Sequence, residues 1–156
     1  MISIDIPGFG ELALSSLVLD YNGTLALDGL LLPGMADEIA SIANHIDVYV
    51  ITADTFGLAR SQLDGLPVSL TIAPVDDQAE TKLDFITKLD ASSTVAIGNG
   101  RNDRKMLEAA AVGIALIQRE GGSAVSLNSA DIVCTSIHDA LALLRNPRRM
   151  TATLRS

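Results

Sequence analysis

Short apolar runs alternate with amphipathic helical stretches along this chain, and this alternation restricts its possible folds more than any other feature of the sequence. The run SLVLD (16–20) is apolar almost throughout rather than at every second residue, which is typical of a strand buried on both faces of a parallel sheet. Strands that alternate with helices indicate crossover connections between parallel strands. We therefore predict an α/β fold with a mainly parallel central sheet.

Two hairpins are predicted in the first part of the chain. Isoleucines at every second position, a PGFG turn and two leucines indicate the first hairpin, over residues 1–14. Asp28 and Gly29 form a favourable two-residue turn for the second, over residues 25–32. A helix is then expected from Pro33, because apolar residues recur on one helical face at Met35, Ile39, Ile42 and Ile46.

Further strands and helices are expected to alternate along the rest of the chain. The predicted strands lie at 47–52, 67–73, 94–97, 112–117 and 131–134. Four helices are predicted: one that ends near Gly65, one over 77–89, one that begins near Asn102 and one over 136–144. A fifth, short helix is expected between the last two strands. No linker or repeat interrupts this pattern, so we expect one domain over 1–156 that ends in a basic tail at 145–156.

Charge and composition argue against several classes of protein. The net charge is −8 over 156 residues, and the tail carries four arginines and no acid, so the remainder is more acidic still. Such a body repels nucleic acid, and no apolar run approaches the roughly 18 residues that cross a bilayer. The first residues lack the pattern of a signal peptide, and a single cysteine cannot form an internal disulfide. We expect a cytoplasmic protein that binds neither nucleic acid nor membrane. Its basic tail is expected to be solvated or folded back on the acidic body, and an arm that binds a partner is the alternative.

Polar residues follow the predicted strands where ligands usually bind, at their carboxyl ends. Asp20 ends the first buried strand, Thr52 ends the next, and the loop GNGRND (98–103) follows a later one, with Lys82 on the helix between them. Each feature alone is commonly structural, a turn or a tight loop. An acid, a hydroxyl, a lysine and a second polar loop in this order at consecutive strand ends indicate one site.

This set of residues suits phosphoryl transfer. The transferred group spreads its negative charge over three oxygens, so a catalyst mainly supplies position and positive charge. Asp20 can act as a carboxylate nucleophile, provided that a cation such as Mg²⁺ offsets its repulsion of the phosphate. Gly23 permits a tight loop with backbone N–H groups near the phosphate, Thr52 offers a hydroxyl donor, and Lys82 offers a positive charge.

Four segments in this order resemble the motifs of haloacid dehalogenase-type phosphatases: DYNGTLA, VITAD, the lysine of AETK, and GNGRND. They are similar in particular to the phosphorylation domain of P-type ATPases and to the small family of soluble P-type-ATPase-like proteins. The resemblance spans nearly the whole chain, and its first motif is the most specific.

The resemblance implies a Rossmann-like three-layer sandwich, Mg²⁺ and an aspartyl-phosphate intermediate. It implies that Asp20 is the nucleophile, with Asn22, Thr52 and Lys82 beside it in the catalytic group. The phosphate would be bound by Tyr21, Asn22, Gly23, Thr52, Ala53 and Lys82. The metal ligands would be Asp20, the backbone carbonyl of Asn22, and the loop residues Asn99 and Asp103.

Two positions depart from the family pattern. Phosphatases of this superfamily usually have an aspartate as general acid/base two residues after the nucleophile, and here that residue is Asn22. Losing general acid/base catalysis costs on the order of 10²–10⁴ in rate, so slow turnover is expected. Asn99 replaces the first aspartate of the GDGxND form, which removes one negative charge from the expected metal site and leaves Asp103 with more of the binding.

The spacing of the motifs leaves no room for a cap domain, so the site is expected to be open. An open site suits a large substrate such as a phosphoprotein, or a homo-oligomer in which the 25–32 hairpin covers a neighbour's site. A phosphorylated small molecule is the other substrate that we expect. Three functions remain: a slow phosphatase, a non-enzymatic phospho-accepting module, or a regulatory subunit. Arg101, Arg104 and Lys105 could hold a second anionic group of a substrate, although salt bridges and a solvated helix face are the ordinary alternative.

Overall fold

A computed structural model describes residues 1–156, and it has ten strands and seven α-helices. The strands are β1 (Ile2–Ile6), β2 (Gly10–Leu14), β3 (Ser16–Leu19), β4 (Ala26–Leu27), β5 (Leu30–Leu31), β6 (Asp47–Thr52), β7 (Ser69–Ile72), β8 (Thr94–Gly98), β9 (Val112–Leu116) and β10 (Ile132–Cys134). The helices are α1 (Met35–Ile42), α2 (Ala59–Leu63), α3 (Gln78–Leu89), α4 (Arg104–Ala109), α5 (Ala124–Ser129), α6 (Ile137–Arg145) and α7 (Pro147–Leu154). The predicted order of strands and helices is confirmed.

Six strands form the central sheet in the order β10-β9-β8-β3-β6-β7, and every neighbouring pair is parallel. β3 lies in the middle, between β6 and β8, and all four of its residues are buried. Its Leu17 pairs with Val48 on one side and Val95 on the other. This topology brings the carboxyl ends of β3, β6 and β8 together at one edge, as the α/β prediction requires.

Helices cover both faces of the sheet. Successive side chains of each strand point to opposite sides, so the apolar side chains on each face need a covering layer. Leu17 and Leu19 of β3 join the larger core, which α1 and α6 cover. Val18 points the other way, into a smaller core with Ile86 of α3 and Met106 of α4. The result is the three-layer α/β sandwich that the motif resemblance implies.

The first hairpin lies outside the central sheet but contributes to its larger core. β1 and β2 pair with each other alone, and Ile4, Ile6 and Leu14 are buried in the cluster that α1 and α6 cover. Helix α7 of the basic tail packs against β1 with Met150 buried, so the tail is folded back rather than solvated. The apolar face of this hairpin is therefore not free to bind a second copy of the chain.

Two local details refine the expected elements. The second hairpin turns at Asp28 and Gly29 as predicted, and both residues have positive φ, 51° and 82°, as a two-residue type I′ turn requires. Helix α1 begins at Met35, after Gly34, and ends at Ile42. Ile46 is buried but lies beyond the helix, so its predicted place on the helical face is wrong. None of the helices combines the length and apolar character needed to cross a membrane.

The close packing of α4 on the sheet predicts a large effect at Gly113 of β9. A Cβ atom there would overlap the backbone carbonyl of Leu107 in α4, and no side-chain rotation relieves that clash. We expect Gly113→Ala to lower the free energy of unfolding by about 3 kcal/mol, the upper part of the range for overpacked cores. Urea denaturation followed by circular dichroism measures this change.

Gly65→Ala is the matched control for Gly113→Ala. Gly65 has a φ of 77° and open space where a Cβ would lie, so alanine there meets only the cost of left-handed backbone, about 1 kcal/mol. Equal losses of stability in the two variants would contradict the steric explanation.

Candidate active site

The three strand ends and one helix bring the predicted residues together in one cleft. Asp20 follows β3, Thr52 ends β6, and the 98–103 loop follows β8, so all three project from the same edge of the sheet. They border a cleft of about 170 Å³, lined by Asp20, Asn22, Thr52, Ala53, Thr55, Gln78, Asn99, Gly100 and Asn102. Lys82 comes from α3, which packs against α4 and the 3₁₀ turn of the 98–103 loop, and its buried side chain contacts Asp20 from behind the cleft without lining it.

Lys82 is the centre of the polar contacts in this site. Its side chain is completely buried, and its Nζ lies 2.8 Å from Oδ1 of Asp20 and 2.7 Å from Oδ1 of Asp103. Burial by itself lowers the pKa of Lys82, yet the two carboxylates hold that pKa above its usual value, so the ammonium stays charged. A fixed positive charge therefore lies against the expected nucleophile.

The carboxyl group of Asp20 feels opposing influences. Burial and the negative charge of Asp103 raise its pKa to about 6, against the lowering effect of Lys82. Its Oδ2 is 3.4 Å from the hydroxyl of Thr24, which is a weak contact. One oxygen of Asp20 is thus held by Lys82 while the other remains nearly free for chemistry at the cleft.

Asp103 is fully buried, and protein donors occupy both of its carboxylate oxygens. Oδ1 accepts from Lys82, and Oδ2 accepts from the backbone N–H groups of Asn99 and Gly100 at 3.0 and 2.9 Å. Neither oxygen faces the cleft, which Asp103 does not line. This arrangement fits an anchor that orients Lys82 and the 98–103 loop better than it fits the direct metal ligand expected from the sequence.

The loop after Asp20 uses its backbone more than its side chains. The Tyr21 side chain is buried away from the cleft, and its hydroxyl donates to the Gly29 carbonyl at 2.8 Å. Burial and the charge of Asp54 raise the pKa of Tyr21 to about 12, so the hydroxyl stays a neutral donor. Only the backbone of Tyr21 could therefore contact a phosphate.

Gly23 has a structural reason to be glycine. Its φ is 81°, and a Cβ atom there would overlap the side-chain amide of Asn99. Its N–H donates to the Ala26 carbonyl at 2.8 Å, so this group closes the loop and is not available to a phosphate. The role of Gly23 is thus to let two loops approach each other, which differs from the phosphate contact expected of it.

Thr52 and its neighbours form the opposite wall of the cleft. The Oγ1 atom of Thr52 accepts the N–H of Asp54 at 3.0 Å, which leaves its own hydroxyl proton free to donate. Asp54 in turn accepts the N–H of Ala59, the first residue of α2, at 3.0 Å. Asp54 thus binds the first backbone N–H of α2 and stabilises the start of that helix.

The donor atoms of the cleft fit a hard cation with few protein ligands. No group of three His, Cys, Asp or Glu side chains is arranged to hold a metal ion. One carboxylate oxygen of Asp20 is nearly free, and the buried Oδ1 of Asn22 accepts no hydrogen bond. Mg²⁺ commonly takes one or two carboxylates and keeps several waters, so this set suits it better than it suits zinc.

Several supporting residues could not be recognised from the sequence. The Gln118 side chain donates to the carbonyls of Gly23 and Thr24, both at 3.0 Å, and accepts the N–H of Ile137 at 2.8 Å. It thus links the nucleophile loop to the start of α6 across a long sequence separation. Asn102 donates to Gln78 at the rim of the cleft. The GNGRND segment pointed to Asn102, but nothing local pointed to Gln118 or Gln78.

Comparison with known proteins agrees with this geometry. The sequence model described as haloacid dehalogenase-like hydrolase matches residues 78–141, a segment that contains Lys82 and the 98–103 loop. That segment is less than half of the chain, and over it the chain is similar to haloacid dehalogenase-like hydrolases. An uncharacterised protein of Methanocaldococcus jannaschii is 48% identical over 61 residues, which are 39% of this chain and 66% of that protein, just under two thirds of its length.

Solved structures share the α/β fold of this chain. The 3-deoxy-D-manno-octulosonate 8-phosphate phosphatase of Moraxella catarrhalis has a TM-score of 0.71 at 18% identity, over 92% of this chain and 94% of that one. A zinc-transporting PIB-type ATPase has a TM-score of 0.62 at 26% identity, over 79% of this chain and 20% of that one. The fold and the resemblance to P-type ATPases expected from the motifs are confirmed.

The buried ion-pair network predicts that Lys82 is essential for stability. Lys82→Met would leave Asp20 and Asp103 as neighbouring buried carboxylates without a cation, a change that typically costs roughly 3–5 kcal/mol. We expect the free energy of unfolding to fall by about that amount near neutral pH, measured by urea denaturation without divalent metal. Lys88→Met is the matched control, because Lys88 is exposed on the same helix and its loss should change stability by less than about 0.5 kcal/mol. Similar stability in the two variants would contradict the central role of Lys82.

Proposed function

We propose that this hydrolase is a slow, Mg²⁺-dependent phosphatase that acts through a phosphoryl group carried on Asp20. The observation that carries the proposal is the buried Lys82 ammonium, held 2.8 Å from Asp20 Oδ1 by a second carboxylate, Asp103. A fixed cation beside a carboxylate nucleophile supports attack on an anionic phosphorus centre. Thr52, with its hydroxyl proton free, and the Ala53 backbone supply donors on the opposite wall of the cleft.

The proposed reaction has two displacements at phosphorus. In the first, an oxygen of Asp20 forms a bond to phosphorus while the bond to the leaving oxygen breaks, and the departing alkoxide or phenolate takes its proton from water. In the second, water attacks phosphorus, the bond to Asp20 breaks, and inorganic phosphate leaves with the proton passing to solvent. Lys82 and Thr52 stabilise the charge on the transferred group in both steps. Asn22 can orient a water but can neither give nor take a proton, so both steps lack general acid/base help.

The residues that would hold Mg²⁺ are Asp20, Asn22 and Asn99. Asp20 has a nearly free carboxylate oxygen, Asn22 has an unpartnered side-chain oxygen and a free backbone carbonyl, and Asn99 lines the same cleft. When bound, the ion supplies positive charge that lets a carboxylate and a phosphate approach each other. We place Asp103 behind Lys82 as a positioning residue instead of among the ligands, because its oxygens are both occupied.

The substrate we propose is a phosphorylated small molecule, with a phosphoprotein as the other possibility of an open site. The Moraxella catarrhalis phosphatase was solved in complex with a magnesium ion, a phosphate ion and a KDO molecule, which supports this class of substrate and a divalent metal for the present chain. We also propose a cytoplasmic location and self-association through the 25–32 hairpin. Leu30 at its tip and Phe56 beside it are exposed, whereas the apolar face of the 1–14 hairpin, with Ile4, Ile6 and Leu14, is buried.

A phospho-accepting module is the second candidate function, and Asn22 is the observation that favours it. Without a proton-transferring group at this position, phosphorylated Asp20 would hydrolyse slowly and could persist long enough to be recognised by another protein. The likeness to a zinc-transporting PIB-type ATPase supports this alternative. The two candidates differ in how fast the second displacement proceeds.

The first prediction of the proposal concerns the phosphorylated enzyme. We expect incubation with ³²P-labelled acetyl phosphate and Mg²⁺ to label the protein, and the label to resist acid but to be released by hydroxylamine, as an acyl phosphate should. Omitting Mg²⁺ or replacing Asp20 by Asn should abolish labelling, because the charge offset or the nucleophile is then missing. Asp54→Asn is the matched control, since Asp54 lies in the neighbouring loop outside the proposed nucleophile and ligand set. Equal labelling of Asp20→Asn and wild type would show that Asp20 is not the acceptor.

A second prediction distinguishes the slow enzyme from the phospho-accepting module. Asn22→Asp restores a group that can transfer a proton, so we expect it to raise steady-state turnover of para-nitrophenyl phosphate at least about tenfold, within the range of general acid/base catalysis. It should also shorten the lifetime of the labelled enzyme in a chase experiment. Asn22→Ala is the control, because it removes the amide without adding a group that transfers protons. It should not increase the turnover of para-nitrophenyl phosphate. A wild type that turns over alkyl phosphates rapidly, and that Asn22→Asp slows, would refute this account of Asn22.

A further inference from the structure

A second groove joins the catalytic cleft on the side of α3 and α4. It has a volume of about 630 Å³, and three residues, Gln78, Gly100 and Asn102, line both the groove and the cleft. The two spaces are therefore adjacent, and the hydrogen-bonded side chains of Gln78 and Asn102 border both of them. A phosphate bound at Asp20 would leave the remainder of its ester free to extend along this groove.

The groove contains basic side chains that have no acidic partner within the chain. Arg101 and Arg104 line it and form no ion pair with any carboxylate. Arg104 donates from one guanidinium nitrogen to the Arg101 carbonyl at 2.9 Å, which orients it beside Arg101. Lys105, by contrast, is paired with Glu80. A salt bridge within the chain thus explains the presence of Lys105, but it does not explain the presence of Arg101 and Arg104.

The balance of charge at the groove is positive although the chain is acidic. Two acids line it, Glu80 and Asp77, and Glu80 is already neutralised by Lys105. Two unpaired guanidinium groups therefore face one unpaired carboxylate in a protein whose net charge is −8. Such a local excess of positive charge attracts anions to the cleft that it borders.

We propose that Arg101 and Arg104 form a subsite for a second anionic group of the substrate, a carboxylate or a second phosphate. The inference rests on the proposed phosphatase function, because it assumes that the first phosphate lies at Asp20. Guanidinium groups suit this role, since their planar donors match the paired oxygens of carboxylate and phosphate. The substrate class is thereby narrowed to phosphate esters that carry another negative charge, and neutral phosphorylated alcohols become poor substrates.

The test compares matched aryl esters. Phenyl phosphate carries the scissile phosphate alone, meta- and para-carboxyphenyl phosphate add a carboxylate, and meta- and para-phenylene bisphosphate add a second phosphate. We expect wild-type kcat/KM to be at least about tenfold higher for one of the doubly anionic esters than for phenyl phosphate, equivalent to about 1.4 kcal/mol. The preference should shrink as ionic strength rises, because it rests on partly exposed charges. Whether the carboxylate or the bisphosphate series shows it identifies the second group.

Charge-removing variants connect the preference to the two arginines. Arg101→Gln/Arg104→Gln should remove the preference by lowering kcat/KM for the doubly anionic ester, while leaving phenyl phosphate within about twofold. Arg148→Gln/Arg149→Gln is the matched control, since it removes the same charge from α7, outside the groove. No preference in the wild type, or an equal loss of activity on all esters in the variant, would overturn the inference.

A binding measurement separates this inference from the proposed function. Calorimetric titration with phenylphosphonate and its meta- and para-carboxy derivatives, in the presence of Mg²⁺, needs no turnover. Tighter binding of a carboxy derivative to wild type, absent in the arginine double variant, would support the subsite even if no ester were hydrolysed. Hydrolysis of every ester with neither a kinetic nor a binding preference would support the phosphatase and refute the subsite.

Discussion

The contact between the Lys82 ammonium and the two carboxylates of Asp20 and Asp103 is the interaction on which the rest of this structure depends. All three groups are buried, and a buried charge is tolerated only when opposite charges and hydrogen bonds replace the water it has lost. Lys82 comes from α3, Asp20 from the end of β3, and Asp103 from the loop after β8. One ion-pair network therefore joins a covering helix to two adjacent strands of the sheet. Any displacement of α3 relative to the sheet edge would leave at least one of these charges without a partner.

The parallel sheet supplies the framework for this network. β3 lies between β6 and β8, so three chain segments that are far apart in the sequence end side by side. The loops that follow them approach so closely that Gly23 has no room for a side chain against Asn99. Gln118 adds a further link, because its side chain binds the carbonyls of Gly23 and Thr24 and the N–H of Ile137. The loop after Asp20 is thus held on several sides by the protein itself, which suits the proposed site, where position and charge would provide catalysis.

Electrostatics also distinguishes the catalytic cleft from the groove beside it. At the cleft and directly behind it, the negative charges of Asp20 and the buried Asp103 exceed the single charge of Lys82, and burial together with Asp103 raises the pKa of Asp20 to about 6. Such a site favours the arrival of a cation. In the groove the excess is positive, because Arg101 and Arg104 lack carboxylate partners. A substrate with two anionic groups would place one near the proposed cation site and the other on the arginines. The two regions together would favour substrates whose two negative charges are separated by the distance between these regions.

The amino-acid sequence by itself determined the α/β class, the order of the elements, the second hairpin's Asp28-Gly29 turn and the four segments that meet at the candidate active site. These depend on local periodicity and on residue types at strand ends, which are visible in short stretches of chain. Only the tertiary structure decided how polar groups are shared among distant segments. In the folded protein, both oxygens of Asp103 accept from protein donors, and the Tyr21 side chain lies away from the cleft. The Gly23 N–H donates within its own loop, and the Gln118 side chain binds the loop after Asp20. The tertiary structure likewise buried the apolar face of the 1–14 hairpin, and it paired Lys105 with Glu80 but left Arg101 and Arg104 without a carboxylate partner. The physical reason is that a hydrogen bond or ion pair depends on the distance between two groups in space, and spacing along the chain does not contain that distance for residues brought together by the sheet.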